Sequence, residues 1–249
     1  MWGLFRRAQP AAPLPTRRGG PPLDLDSYSA IYAVGDVHGC LDLLLKLEQA
    51  IADDAAAENY SNAVVLLLGD LIDRGASSAG VVEHLKARLA GSLPLLALAG
   101  NHEEAMLEFL RDPGSNQSWL TFGGFETLAS YGVDLPALRQ INPKSSHYIA
   151  VLNRHIPAEH LRLLQEMPVT ASGLGYRFQH MPEALSKGSP RIVHGHIMVP
   201  DAAVTGASIN VDVGAYRFGR LCAVRIVRDG PPVFLEVTRR GSARRWIGQ

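Results

Sequence analysis

The chain has 249 residues, 47% of them apolar, with 24 Lys plus Arg balancing 24 Asp plus Glu. That is enough apolar material for one large α/β domain, and the balance supplies no global field toward nucleic acid or an anionic membrane. Cys40 and Cys222 are too few for a disulfide framework and lack the paired spacing of a zinc or redox motif, so both read as core thiols in a reducing compartment.

Residues 1–25 combine Pro, Gly and Arg without a regular apolar period and read as a flexible leader; residues 26–249 then form a single catalytic domain. A membrane-surface or partner-binding arm is the other reading of the leader, carried by Trp2, Leu4 and Phe5 beside Arg6 and Arg7. No apolar run approaches the roughly 20 residues of a membrane span, and residues 1–7 lack the apolar stretch of a secretory signal, so a cytoplasmic protein is expected.

Residues 30–34 read as a strand ending at Gly35-Asp36, followed by a helix over 41–56 with Leu44, Leu47, Ile51 and Ala55 on one face. Residues 63–68 are a second strand, ending at Gly69-Asp70, with a helix over about 77–89. Residues 95–99 are a third, ending at Gly100-Asn101, with a helix from about Glu103. The middle, 119–167, reads as helices and loops punctuated by Gly123-Gly124, Pro136, Pro143 and Pro157. Short strands return near 176–178, 191–193, 207–211, 221–227 and 233–237, which suits a second sheet packed on the first.

Three strands thus deliver polar residues to their carboxyl ends, where open α/β sheets place their sites. The motifs are Gly35-Asp36-Val37-His38-Gly39, Gly69-Asp70-Leu71-Ile72-Asp73-Arg74-Gly75 and Gly100-Asn101-His102-Glu103. Each Asp or Asn alone is also an ordinary turn or helix-capping residue. All three motifs in this order, with His38, Arg74 and His102 in place, point instead to short polar side chains converging on a cation.

These blocks resemble the signature of the calcineurin-like metallophosphoesterases, and more narrowly the phosphoprotein phosphatases and their bacterial relatives. The likeness continues in residues 119–132 (WLTFGGFETLASYG), 193–196 (VHGH) and 210–221 (NVDVGAYRFGRL) and covers about residues 31–227. It implies a four-layer α/β sandwich, two mixed sheets face to face flanked by helices, with a dinuclear centre at the sheet ends. It makes Asp36 and His38 ligands of the first metal, Asp70 the bridging carboxylate, and Asn101, His180 and His196 the rest of the second site. The implied cofactors are two divalent ions, manganese first, with iron or zinc as alternatives that the oxygen and nitrogen donors also suit. The implied chemistry is in-line attack by a metal-bridging hydroxide without a phosphoenzyme. Arg74 and Asn101 bind the phosphate, and His102, oriented by Asp73, protonates the leaving alkoxide. Two ions, Asp36, Asp70 and the hydroxide leave about one positive charge before Arg74 is counted, which attracts a phosphate dianion.

Gln179-His180-Met181-Pro182 departs from the His-Ala-Gly or His-Gly-Gly turn of that family, so His180 is assigned by its offset after a strand; a surface or core histidine is the other reading. Arg191 is the one arginine between His180 and His194, where the family supplies a second phosphate grip. His194 reads as supporting His196, and Asp212 either as a hydrogen-bond partner of a ligand histidine or as a turn residue. His84, His147, His155 and His160 lie outside any motif and read as surface or helix residues. The expected substrate is a phosphorylated protein or small phosphate ester, with no nucleic-acid partner. The alternatives are symmetrical hydrolysis of diadenosine tetraphosphate, and a catalytically weakened relative that binds phosphate or protein. The sequence carries no reading of oligomeric state.

Overall fold

The computed structural model describes residues 19–87, 93–183 and 190–248. The central sheet forms around β2 (Ala30–Val34), which pairs in parallel with β3 (Ala63–Leu67); β3 pairs in parallel with β4 (Leu95–Ala97). On the other side of β2, the antiparallel strands β10 (Arg220–Ile226), β11 (Val233–Thr238) and β12 (Arg244–Ile247) complete six strands. The second sheet runs in the order β1 (Leu23–Asp24), β5 (Thr170–Gly173), β6 (Tyr176–Gln179), β7 (Arg191–His194), β9 (Ser208–Asn210) and β8 (Ala203–Thr205). Within it, β6, β7 and β9 are mutually parallel.

The apolar runs of β2 and β3 are continuous because both faces are covered, and every residue in them is buried. Ile31, Ala33, Val64 and Leu66 meet Phe178, Val193 and Ile209 of the second sheet in one core. Tyr32, Val34, Val65 and Leu67 face the other way, toward Leu44, Leu47 and Ile51 of α1 (Leu41–Ala57). This helix core also takes in α2 (Ser78–Ala87), α3 (Asn101–Arg111), α4 (Phe125–Ser130), α5 (Leu135–Leu138), α6 (Ser146–His155) and α7 (Ala158–Glu166); α8 (Ala215–Phe218) adds Ala215. The outer column of the second sheet instead carries Ser172, Arg177, Ile192, Ser208 and Thr205 in register, mostly polar positions.

The mixed α/β sandwich is the one the resemblance implies, with boundaries shifted where local signals are weak. α3 begins at Asn101 rather than Glu103, so Asn101 and His102 occupy its first turn. The expected leader to residue 25 is too long: Gly20 donates its backbone N–H to Glu166, Leu23 and Asp24 pair with β5, and Leu25 is buried. Residues 1–18 lie outside the described residues. Strands β1, β5, β8 and β12 escape the sequence reading because they are short, polar or charged segments without apolar alternation; β1, β8 and β12 also lie at sheet edges. Cys40 and Cys222 are free and buried, and no described helix is long and apolar enough to cross a membrane.

The central sheet is tied to α1 by a buried ion cluster. Asp54 accepts hydrogen bonds from Tyr32 Oη (2.8 Å), Arg225 Nη1 (2.7 Å) and Arg245 Nε (2.8 Å). Burial works against its charge, but these donors outweigh it and hold the carboxyl below its ordinary value. Arg225 is 5% exposed, so neutralising Asp54 leaves this buried cation with only the exposed Glu58 carboxylate, 3.2 Å away, as its anionic partner. Asp54→Asn is expected to cost about 3 kcal/mol in chemical denaturation. The wild-type advantage should be complete above the ordinary carboxylate pKa of about 3.9 and vanish as pH falls through the lower folded value. An Asp54→Asn variant as stable as wild type at neutral pH would refute the assignment.

Candidate metal centre

The carboxyl ends of β2, β3 and β4 in one sheet, and of β6 and β7 in the other, open on the same edge. Asp36 and His38 follow β2, Asp70 follows β3, Asn101 opens α3, His180 follows β6 and His196 follows β7. The backbone is forced to bring them there: of the seven non-glycine residues with positive φ among the described residues, His38, Asp70, Asp73, Arg74 and His196 all belong to this edge. Such conformations cost on the order of 1–3 kcal/mol each and persist only where the surroundings over-determine them.

Glu103, which is fully buried, supplies much of that determination. Its carboxylate accepts backbone N–H groups from Gly100 (2.8 Å), Asp70 (3.0 Å), Leu71 (2.8 Å) and Ile72 (3.4 Å). It thereby fastens the loop after β3 to the first turn of α3. Gly100 is required at that junction, since a Cβ there would lie 2.1 Å from Asp70 Oδ1.

Two groups of ligand-capable atoms result, His38–Asp70–His102 and Asp70–His180–His196, each within 4.8 Å and sharing Asp70. Asp36 lies between them, with Oδ2 4.0 Å from His38 Nε2 and Oδ1 3.9 Å from His180 Nδ1. Around His180 Nε2 stand Asn101 Oδ1 (2.9 Å), His196 Nδ1 (3.1 Å) and Asp70 Oδ1 (3.3 Å). These are lone-pair carriers, and a single proton on Nε2 serves only one of them well, whereas a cation would serve all. His180 Nδ1 is buried without a hydrogen-bond partner. The residues therefore fit divalent cations, and the oxygen and nitrogen donors suit a first-row metal. His38 is oriented for the same role, because its Nδ1 lies 2.9 Å from the Ile72 carbonyl, which fixes the tautomer with the Nε2 lone pair facing inward.

The electrostatics point the same way. Burial, then the charges of Asp212 and Asp70, push the Asp36 carboxyl well above its usual range. Burial opposes ionisation of Asp70 too, but the His180 hydrogen bond and the imidazoles of His102 and His38 hold it well below that range. Burial lowers His38 to about 4; for His180 burial is outweighed by Asp70, and its pKa rises to about 9. This edge concentrates buried carboxylates that share whatever positive charge reaches them.

Asp73 and His102 form a separate pair: Asp73 Oδ2 lies 2.6 Å from His102 Nδ1 and accepts Trp119 Nε1–H at 2.8 Å. Its Oδ1 accepts the Thr127 hydroxyl at 2.6 Å. Every site residue expected from the sequence thus meets at one edge. The supporting Glu103, Trp119 and Thr127 had no assigned part; Glu103 stands inside a motif and the other two inside the 119–132 block, and, Gly100 apart, their partners lie 31 or more residues away. The other residues weighed in the sequence take partners of their own. His194 turns to the Gly195 carbonyl and Ser208 Oγ, away from the cluster. The Asp212 carboxylate accepts the Gly214 N–H, as its turn reading has it. Arg191 bonds Tyr176 Oη and stacks on that ring. His84 and His160 pair with Glu48 and Glu83.

Residues 29–228 match the model of the calcineurin-like phosphoesterases. The chain belongs to this family. Over 102 residues it is 29% identical to serine/threonine-protein phosphatase 1 of Salmonella typhimurium, a match covering 41% of this chain and 42% of that protein. The chain thus spans less than half the length of that relative. A longer match, 24% identical over 226 residues, is with the asymmetrical bis(5'-nucleosyl)-tetraphosphatase PrpE of Oceanobacillus iheyensis, covering 77% of this chain and 86% of that one. Among solved structures, the cold-active protein-tyrosine phosphatase of a psychrophilic Shewanella species superposes with TM-score 0.56 at 16% identity, covering 91% of this chain and 83% of that one. That likeness concerns the fold alone.

For this calcineurin-like chain, Glu103→Ala leaves strand-end N–H groups buried without acceptors, at about 3 kcal/mol. It should lower the unfolding midpoint and weaken manganese binding together, as read by calorimetry and metal titration. Lost stability with unchanged metal affinity would separate the loop from the centre.

Proposed function

We propose that this calcineurin-like chain is a phosphomonoesterase of the phosphoprotein phosphatase type, dependent on two divalent ions. The observation that carries the reading is the convergence of Asp36, His38, Asp70, Asn101, His180 and His196 beside the Asp73–His102 pair. Asp36, His38 and Asp70 would hold one ion, and Asp70, Asn101, His180 and His196 the other, with manganese the first choice. When bound, such ions supply an activated water and offset phosphate charge.

The chain's own groups do the rest. Arg74 offers its planar fork to phosphate oxygens at the open side of the cluster, and Asn101 borders the same space. His102 carries a proton on Nε2 toward the leaving oxygen; Asp73 holds Nδ1, fixing the ring and supporting its charge. Nε2, buried without a partner, is the atom left to deliver that proton.

Among the described residues Arg74 is also the cation that faces the cluster, which fits one phosphoryl group better than a chain of four. Arg191, which the sequence offered as a second grip, is engaged by Tyr176. Hydrolysis of a dinucleoside tetraphosphate is the second reading, favoured by the relative that matches most of this chain. Side-by-side turnover of a phosphoserine peptide and diadenosine tetraphosphate separates the two. The peptide is expected to be the better substrate, and strong preference for the dinucleotide would replace the first reading with the second.

Metal-stripped protein should hydrolyse p-nitrophenyl phosphate only after manganese is restored, and Asp70→Asn and His180→Ala should lose that activity. His102→Asn should lose about 100-fold on the phosphoserine peptide and only a few-fold on p-nitrophenyl phosphate, whose phenolate leaves with little help. Survival of His180→Ala would return that histidine to a structural role. Equal losses for His102→Asn on both esters would remove its role as acid.

A further inference from the structure

Phe122 is 45% exposed at the mouth of the centre, yet its ring lies flat on His102, with centroids 4.2 Å apart and planes 6° apart. The Arg74 guanidinium sits 5.4 Å from the same ring and 4.8 Å from the ring of Tyr216. Among the described residues no carboxylate pairs with Arg74, whose guanidinium hydrogen bond goes to His38 Nε2. It is therefore held between two aromatic rings and one histidine nitrogen, which leave most of its N–H donors for a ligand.

The backbone is shaped to put the ring there. Residues Leu120–Gly124 form a π-helical turn broken at Gly123, where φ is 123°. A Cβ at Gly123 would lie 2.7 Å from Asp73 Cβ and 2.8 Å from Arg74 N, and Arg74 N–H donates to the Gly123 carbonyl. A half-exposed ring gains little from burial, so hydrophobic packing alone does not account for a turn this tightly fitted.

We propose that Phe122 is a positioning residue that holds His102 by stacking and Arg74 by its π face, so that both meet the phosphate ester in one arrangement. The proposal rests on the phosphomonoesterase reading, with His102 as proton donor and Arg74 as phosphate holder. Stacking fixes the imidazole plane that Asp73 fixes at only one atom, and it shields that face from water. The π face restrains a guanidinium that has no anionic partner of its own.

The test uses the full chain, manganese-loaded, as Phe122→Ala, Phe122→Leu, Phe122→Tyr and Phe122→Trp. Ala and Leu variants should lose about tenfold more turnover on a phosphoserine peptide than on p-nitrophenyl phosphate, and bind inorganic phosphate several-fold more weakly as an inhibitor. Tyr and Trp variants should keep both properties, and unfolding midpoints should stay near wild type. A Leu variant that behaves as wild type, or equal losses on both esters with unchanged phosphate inhibition, would overturn the proposal. Exchange of the His102 Nδ1 proton with water, followed by NMR, reads the stacking without turnover. It should be slow in wild type and the Tyr variant and fast in the Ala and Leu variants; one common rate overturns the proposal. If the wild type hydrolyses neither ester but shows the expected exchange pattern, the phosphomonoesterase reading falls and the positioning of His102 stands.

Discussion

Glu103 has no contact with solvent and accepts backbone N–H groups from two different strand-end loops. A carboxylate buried in that way is itself a cost, and burial followed by the charge of Asp70 pushes its pKa up. The arrangement persists because each loop taken alone has no reason to hold left-handed backbone at Asp70, Asp73 and Arg74. One acceptor shared by several donors makes those conformations depend on one another. The position of every inward-facing group after β3 then follows from the first turn of α3.

The same economy appears in how charge is handled. Asp36, Asp70, Glu103 and Asp212 are all buried within reach of one another's fields, and His38, His180 and His102 stand among them. A hydrophobic replacement would be more comfortable for the fold in isolation. Retaining so many ionisable groups makes sense for a site built to be completed by positive charge, and Arg74 already supplies part of it from the open side.

The sequence made the central sheet and the inward-facing residues legible because their signals are local: an apolar run, a glycine, then a short polar side chain. The ligand-like residues after β2, β3 and β4 are therefore visible in short windows. What stayed hidden depends on distance in the chain. Trp119 and Thr127 reach Asp73 from 46 and 54 residues away, and nothing in their own neighbourhood announces a carboxylate partner. Phe122 reads as an ordinary loop aromatic until the turn at Gly123 is known. The edge strands β1 and β12 take their conformation from the neighbours they pair with, against a Pro/Gly-rich and an Arg-rich composition respectively.

The order of strands also bears on how the polypeptide is made. β10 lies directly between β11 and β2, pairing Ile226 with Ile31. A nascent chain that has emerged only as far as the last residues of the second sheet therefore holds β2, β3 and β4 with the N–H and C=O groups along one side of β2 unpaired. That open side invites other chains until β10 leaves the ribosome and closes it. Strands β10 to β12 close that side last in chain order, so a shortened chain exposes the strand that leads into Asp36 and His38.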